Sequence, residues 1–416
     1  MNIAYLYPQW KPGRHSYAMD VLGRGLAREI AGEHEVTLFS RGTGSEPDGR
    51  PPLRLVGLRL DRVVSPLARR LWRVAERMHL IPRSRPISST IWGFPGYALA
   101  AARRVRQMDA DVAHIHIYEQ LIPLVRRLSP TTRIVLHVHD HSQLQQDELV
   151  VRRRLEKADL IVGCSDYMAD AVRERFPALA GRVISIPNSI PEPWPDRGGS
   201  AGGASIIFIG RLSPEKGVHV LVEAFNEIGR RIPDSRLTLV GPSAVPGASV
   251  VESHLALPAF EQVRQFYGKG NAYREHLEGL VAPEMRDRVE FVGELANEEA
   301  TKRLRDADLL VMPSIWNEPF GMPILEGMTA GLPVVATRVG AFPDTVEDGT
   351  TGVLVEPGDV AGLAGAIESI LADRATARAM GDAGRARATA EFGWRQYVNR
   401  WSRAYEGMVS PFPPTV

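Results

Sequence analysis

The chain has 416 residues, 44% of them hydrophobic and 24% charged, the mix of an ordinary globular protein long enough for two or three domains. A formal net charge of +1 argues against binding nucleic acid through overall charge, and a single cysteine, Cys164, excludes an internal disulfide framework and suits a reducing compartment. No apolar run approaches the ~18–20 residues of a membrane span, and residues 1–10 lack the cationic segment of a secretion signal, so a cytoplasmic protein is expected.

The chain opens as strand, loop, helix, strand. Residues 2–7 are a short apolar run, 8–16 carry Pro, Gly and polar residues, and Tyr17, Val21, Leu22, Leu26 and Ile30 recur near helical spacing before a strand at 35–39. Residues 59–85 hold eight arginines against Asp61 and Glu76. A helix opening at Ser65-Pro66 would set Leu67, Leu71, Val74 and Met78 on one face and Arg62, Arg69, Arg73 and Arg77 near the other. That is either a solvated basic face or a peripheral contact with an anionic membrane. Short β-rich runs follow at 112–117, 133–137, 160–164 and 183–186, separated by helical or loop segments, a pattern that predicts a parallel sheet covered on both faces.

Residues 190–205, IPEPWPDRGGSAGGAS, have little to bury and read as a linker, placed at 191–204. The alternation then restarts, with strands at 205–209, 236–240, 289–292, 309–312, 333–336 and 352–355. Val218, Leu221, Val222, Phe225 and Ile228 form one stripe of a helix over 218–232, and further helices are read at 363–371 and 375–392. The expected fold is α/β, with two Rossmann-like domains, 1–190 and 205–394, facing a central cleft.

Two strings carry chemistry. Gly210-Arg211-Leu212-Ser213-Pro214-Glu215-Lys216-Gly217 follows a strand and opens the helix at 218, with Ser213 as N-cap and Pro214 at the first helical position. Lys216 is one of five lysines beside 45 arginines, and a cation in a first helical turn opposes the helix dipole. An anion held between Arg211, Lys216 and the free N–H groups of the helix start would reverse that penalty. The second string is Glu318-Pro319-Phe320-Gly321-Met322-Pro323-Ile324-Leu325-Glu326, after the strand at 309–312. It places Glu318 on the entry loop and Glu326 one turn inside a helix that Gly331 ends. Carboxylates are acceptor-only groups suited to paired hydroxyls, and the helix start between them suits a diphosphate.

In combination these strings resemble the retaining glycosyltransferases of family four, which have the GT-B fold. Flanking matches at His34-Glu35-Val36-Thr37, Ile186-Pro187-Asn188, Phe291-Val292-Gly293, Pro313-Ser314, Gly331-Leu332-Pro333 and 349–357 extend the resemblance over nearly the whole chain. It implies transfer of a sugar from a nucleotide-diphosphate sugar, UDP-sugars favoured, to a hydroxyl of a small-molecule, glycan or lipid-linked acceptor. It also implies no metal cofactor. Arg211 and Lys216 would hold the diphosphate, Glu326 the ribose hydroxyls and Glu318 a hydroxyl of the transferred sugar. Gly210, Gly13 and the backbone across Phe320, Gly321, Met322, Pro323 and Ile324 would approach sugar and phosphate, and Val292, Gly293 and Leu295 would line the base. Domain 1–190 would bind the acceptor, completed by a helix at about 395–416, and 205–394 would bind the donor.

The resemblance makes His139 the histidine that approaches the anomeric carbon. His116 would line the same cleft, and Arg14 and His15 would belong to the acceptor pocket, where this chain has Pro12-Gly13-Arg14-His15 in place of the usual paired glycines. Alternation of His137, His139 and His141 is also what a metal site or any strand end produces, and no partner cluster has ligand spacing, so no metal is assigned. Asp109-Ala110-Asp111 precedes a strand and is read as a decoy. The connection 243–283, with Tyr267-Gly268-Lys269-Gly270, is longer than usual and is read as a lid or contact surface. Rival functions are an epimerase or phosphorylase on the same fold and a non-catalytic sugar-nucleotide-binding protein.

Overall fold

The computed structural model describes residues 1–8, 18–40, 54–57, 70–72, 74, 78, 87, 90–190, 204–245 and 258–409. Gly13, Arg14, His15, nearly all of the linker read at 191–204 and most of the basic stretch 59–85 lie outside these residues. The chain divides into two compact units, Met1–Pro187 with Arg395–Val416, and Asn188–Trp394.

The first unit is built on β1 (Asn2–Leu6), β2 (Glu35–Ser40), β3 (Arg54–Gly57), β4 (Val112–His116), β5 (Arg133–Val138), β6 (Leu160–Gly163) and β7 (Val183–Ser185). They form one sheet of order β3-β2-β1-β4-β5-β6-β7 in which every pair is parallel. Both faces are covered, so β1, β4 and β5 are buried at nearly every position, the histidines of β4 and β5 included.

The second unit contains β8 (Ala204–Ile209), β9 (Ser235–Val240), β10 (Val289–Gly293), β11 (Leu309–Met312), β12 (Val334–Thr337) and β13 (Gly352–Val355), again all parallel, in the order β10-β9-β8-β11-β12-β13. Taken from its first strand this is the 3-2-1-4-5-6 Rossmann order. Its direction reverses between β8 and β11, and ligands of open α/β sheets bind beyond the carboxyl ends of the strands at such a point. The two chemistry-bearing strings are the loops that leave β8 and β11. Helix α1 (Val218–Arg231) follows the first of them and α2 (Met322–Thr329) the second.

Helix α3 (Trp394–Val409) packs on the first unit. Tyr397, Trp401, Tyr405 and Met408 recur every three or four residues and are all buried. Trp401 lies 4.5 Å from His114 and 4.7 Å from His137 between ring centroids, and the Tyr405 hydroxyl bonds both Tyr5 Oη and His114 Nδ1 at 2.7 Å. The last turns of the chain are therefore part of the core around β1 and β4.

Candidate functional site

The loop after β8 differs from the expected simple helix entry. Pro214–Lys216 is a separate 3-10 turn, and Gly217 at φ 66° resets the chain before α1 begins at Val218. Lys216 thus ends the short turn instead of occupying the first turn of the long helix. Ser213 does not cap with its side chain; its Oγ donates to Glu215 Oε1 at 2.6 Å. Gly217 is required for two reasons: its φ is left-handed, and a Cβ there would lie 1.8 Å from the carbonyl oxygen of Pro313. This close approach, with the Ile315 N–H donating to the Glu215 carbonyl at 3.0 Å, fixes the β8 and β11 loops to each other.

The expectation of free N–H groups at the start of α1 is corrected for His219 and Val220. The His219 amide donates to the Tyr273 hydroxyl at 3.2 Å, while Val220 and Leu221 donate to the Gly217 carbonyl. Two of the first-turn donors are thus occupied, Leu221 making the ordinary bond one turn back, and side chains carry the charge of this loop.

Those side chains are organised by two buried carboxylates. Lys216 Nζ donates to both oxygens of Glu318, at 2.7 and 2.9 Å, and Ser314 Oγ donates to Glu318 Oε1 at 2.6 Å. The Glu318 side chain is 4% exposed and that of Lys216 16%, so the pair is largely withdrawn from water. Burial alone would raise the Glu318 carboxyl, but the Lys216 charge and hydrogen bonds from Lys216, Ser314 and Trp316 outweigh it and hold the group below its ordinary value. Glu215 is the second hub. Its side chain is 0% exposed and accepts from Ser213, from Arg211 at 3.1 Å and from the Tyr267 hydroxyl at 3.1 Å, whereas the Arg211 side chain is 38% exposed.

Glu318 is further held from β12. Thr337 Oγ1 donates to the Ser314 carbonyl at 2.6 Å, the Ala341 amide donates to the Glu318 carbonyl at 2.9 Å, and the Gly340 amide donates to Asn317 Oδ1 at 3.2 Å. Gly340, at φ 51°, presses on this segment so closely that a Cβ would sit 2.3 Å from the Glu318 carbonyl oxygen. Gly321, at φ 92°, turns the chain into α2, where Pro323 has no amide and the Ile324 amide donates to the Gly321 carbonyl at 3.0 Å. Glu326 lies one turn inside α2, and desolvation raises its carboxyl to about 7. Val292, Gly293 and Leu295 lie at the end of β10, where the Gly241 amide donates to the Gly293 carbonyl at 2.8 Å, and all three are half-buried.

In the first unit the histidines gather where β4 and β5 end. His114, His116, His137 and His139 are all buried. His116 Nδ1 lies 3.2 Å from His139 Nε2. Burial lowers His116 to about 3, and burial together with neighbouring imidazoles lowers His114, His137 and His139, so all four are neutral near pH 7. His141 instead bonds the Tyr167 hydroxyl at 3.1 Å. A partner cluster for His137 thus exists on the neighbouring strand, which spacing alone did not show: ligand nitrogens of His114, His116 and His137 all lie within 4.8 Å. The rings of His114 and His116 are stacked, however, 4.2 Å apart and 13° from parallel. Their in-plane lone pairs run side by side and do not converge on the ~2 Å bonds of a tetrahedral ion, so the packing is that of an imidazole stack. Asp111, from the acidic decoy, accepts the Asn2 amide at 2.7 Å and ties β1 to β4.

Residues the sequence reading missed are Ser314, Gly340, Tyr267 and Tyr273, together with the hub role of Glu215. For Ser314 a signal was present in Pro313-Ser314, directly after a strand end.

Comparison with known proteins agrees with this architecture. The family model described as "Glycosyltransferase Family 4" matches residues 21–192 and that described as "Glycosyl transferases group 1" matches 196–387. Glycogen synthase of Mycobacterium tuberculosis is 32% identical over 256 residues, covering 60% of this chain and 55% of that protein, so the chain spans about half the length of this relative. The GDP-mannose-dependent alpha-(1-6)-phosphatidylinositol monomannoside mannosyltransferase of Mycolicibacterium smegmatis is 29% identical over 310 residues, 68% of this chain and 72% of that one. Among solved structures, sucrose-phosphate synthase of Thermosynechococcus elongatus superposes with a TM-score of 0.74 at 25% identity over 98% of both chains. With one model on each unit and a GT-B likeness along the full length, the chain belongs to the family 4 glycosyltransferases.

Proposed function

We propose that the protein transfers a glycosyl group from a nucleoside-diphosphate sugar to a hydroxyl-bearing acceptor, with retention at the anomeric carbon and without a metal cofactor. The observation that carries this reading is the pairing of Lys216 with Glu318 across the β8 and β11 loops, at the switch point of the second sheet. In this reading the second unit binds the donor and the first the acceptor.

The difficult step is departure of a diphosphate as the sugar becomes oxocarbenium-like. Preorganised positive charge on the leaving group is the largest lever available. Arg211 and Lys216 supply it, and each arrives already oriented by a buried carboxylate. The donor inserts between Lys216 and its surroundings, and Glu318, kept ionised, accepts from a hydroxyl of the transferred sugar. The backbone across 320–324 approaches sugar and phosphate, Glu326 accepts from the ribose, and Val292, Gly293 and Leu295 line the base. Retention follows from attack on the face the diphosphate leaves, with the departing phosphate taking the acceptor's proton. His139, neutral and paired with His116, acts near the anomeric carbon through a hydrogen bond and not through charge. Gly13 approaches the donor, and Arg14 and His15 contribute to the acceptor pocket.

UDP-sugars are the donor class first expected, and GDP-mannose is named for the mycobacterial mannosyltransferase. That relative's acceptor is a phosphatidylinositol monomannoside, and a lipid-linked acceptor would suit a peripheral contact of the basic stretch 59–85 with an anionic membrane, the other reading of that stretch being a solvated basic face. Of that stretch, Leu71, Val74 and Met78 are exposed hydrophobics beside exposed Arg70. No helix among the described residues is long and apolar enough to cross a membrane. Vesicle binding that survives charge reversal at Arg69, Arg70 and Arg73 would remove the membrane contact.

The test of the function is release of nucleoside diphosphate from a panel of UDP-sugars and GDP-mannose, with and without candidate acceptors, and assignment of the product anomer by NMR. Acceptor-dependent release with the donor's anomeric configuration is expected. Release only with inorganic phosphate, or interconversion of the sugar without release, would replace the assignment with a phosphorylase or an epimerase. Binding without turnover across a broad acceptor panel would favour a non-catalytic sugar-nucleotide-binding protein.

A further inference from the structure

The long connection between β9 and β10 packs along α1 and reaches the phosphate-handling loop. Phe260, Val263, Tyr273 and Leu277 are buried, and Asn226 of α1 bonds the Leu280 carbonyl and the Ala282 amide at 2.8 and 2.9 Å, so the segment 258–282 is anchored along much of its length. From this anchored base one tyrosine touches the start of α1 and another the turn Pro214–Lys216 before it. Tyr273 Oη accepts from the His219 amide and lies 2.9 Å from His219 Nδ1, which burial keeps neutral by lowering the ring to about 4. Tyr267 Oη lies 3.1 Å from Glu215 Oε2, and the other oxygen of that carboxylate holds Arg211. Burial, followed by the charge of Glu215, pushes the Tyr267 phenol well up, so it stays protonated and is the donor in this bond.

We propose that Tyr267 is a positioning residue: through the buried carboxylate of Glu215 it sets the guanidinium of Arg211 for the distal phosphate of a nucleoside diphosphate, which makes the β9–β10 connection a brace for the donor site and not a lid. A buried carboxylate that loses one donor turns toward its remaining ones, and Arg211 is the one of these that is free to move at the surface, being the most exposed. The Tyr267 bond therefore governs where Arg211 points. The inference rests on the reading of Arg211 as a diphosphate ligand.

The test is a double-mutant cycle of Tyr267→Phe and Arg211→Ala on the full chain, with calorimetric affinities for UDP, GDP, UMP and GMP. The ratio of monophosphate to diphosphate Kd reports the distal phosphate alone, which a general loosening of the unit would not change. Tyr267→Phe should lower that ratio about fivefold or more, the scale of a hydrogen bond to a charged group passed on in part, with UMP and GMP affinities held. In the Arg211→Ala background it should have no further effect. An unchanged ratio in Tyr267→Phe while Arg211→Ala lowers it overturns the brace and leaves the function standing. An unchanged ratio in Arg211→Ala, or no diphosphate binding by the native chain, overturns both. Should Tyr267→Phe fail to fold, Tyr267→Met takes its place in the cycle, and the same changes in the ratio support or overturn the brace.

Discussion

Removing the charge of Lys216 separates what the Lys216–Glu318 pair does for folding from what it does for turnover. Lys216→Met keeps the length of the side chain and leaves Glu318, 4% exposed, with Ser314 and Trp316 as its remaining donors. Breaking a buried ion pair from one side costs about 3–5 kcal/mol. The pH dependence has a definite sign. In the native chain the Glu318 carboxyl lies below its ordinary 4.5, so the pair's contribution is present above that value and is lost as pH falls through the folded pKa. Without Lys216, burial dominates and the carboxyl rises above 4.5, so the variant loses stability as pH climbs. The gap between native and Lys216→Met should therefore be widest near pH 8 and narrow toward pH 4, measured by urea unfolding. Lys216→Met/Glu318→Gln, with neither charge left, should regain most of the lost stability. Turnover should fall ~10²-fold or more in Lys216→Met, the usual scale for losing a charge-stabilising donor, and should stay low in the double variant. A double variant that regains turnover along with stability would refute the assignment, because it would show that Lys216 serves only to keep Glu318 folded in place.

The carboxyl of Glu326, raised to about 7, predicts that a sugar nucleotide binds about tenfold more weakly at pH 6 than at pH 8, since its diphosphate diester does not titrate there and the protein carboxyl does. Glu326→Gln should abolish that dependence in calorimetry. The same shift means that folding stability falls as pH rises from 4.5 toward 7, and Glu326→Gln should flatten this decline in urea unfolding between those values. Gly340→Ala places a methyl 2.3 Å from the Glu318 carbonyl at a left-handed φ of 51°, which costs roughly 1–2 kcal/mol for the backbone alone, and should lower turnover at least tenfold by displacing Glu318. A Gly340→Ala enzyme with native turnover would show that Glu318 needs no such support. Incubation with EDTA should leave turnover within about twofold, since cationic side chains carry the leaving-group charge in place of an ion.

How much of this was legible in the sequence follows from how far apart the interacting residues lie. The buried parallel strands were readable as short β-rich runs, to within one or two residues at their ends, because burial on both faces leaves few charged residues in them. Strand β3 was missed: RLVG opens on an arginine and ends on a glycine, with only two apolar residues between, and it takes its place at the sheet edge by pairing with β2. The two chemistry-bearing strings were readable because glycine, proline and charge fall within eight or nine consecutive residues, and the Rossmann order then sets the loops after its first and fourth strands side by side. What orients their side chains was not readable. Glu318 meets Lys216 from 102 positions away, and Tyr267 meets Glu215 from 52. Glu215, read locally, only offset a dipole; buried among Ser213, Arg211 and Tyr267 it determines where a cation points. The amides at the start of α1 erred in the opposite direction, since a rule true of isolated helix ends gave way once Tyr273 supplied an acceptor. Local spacing thus picked out the charged groups of the two loops. How those groups are oriented was decided by residues brought in over a long connection, which is why that connection, and not the motif itself, is the place to test for effects on donor binding.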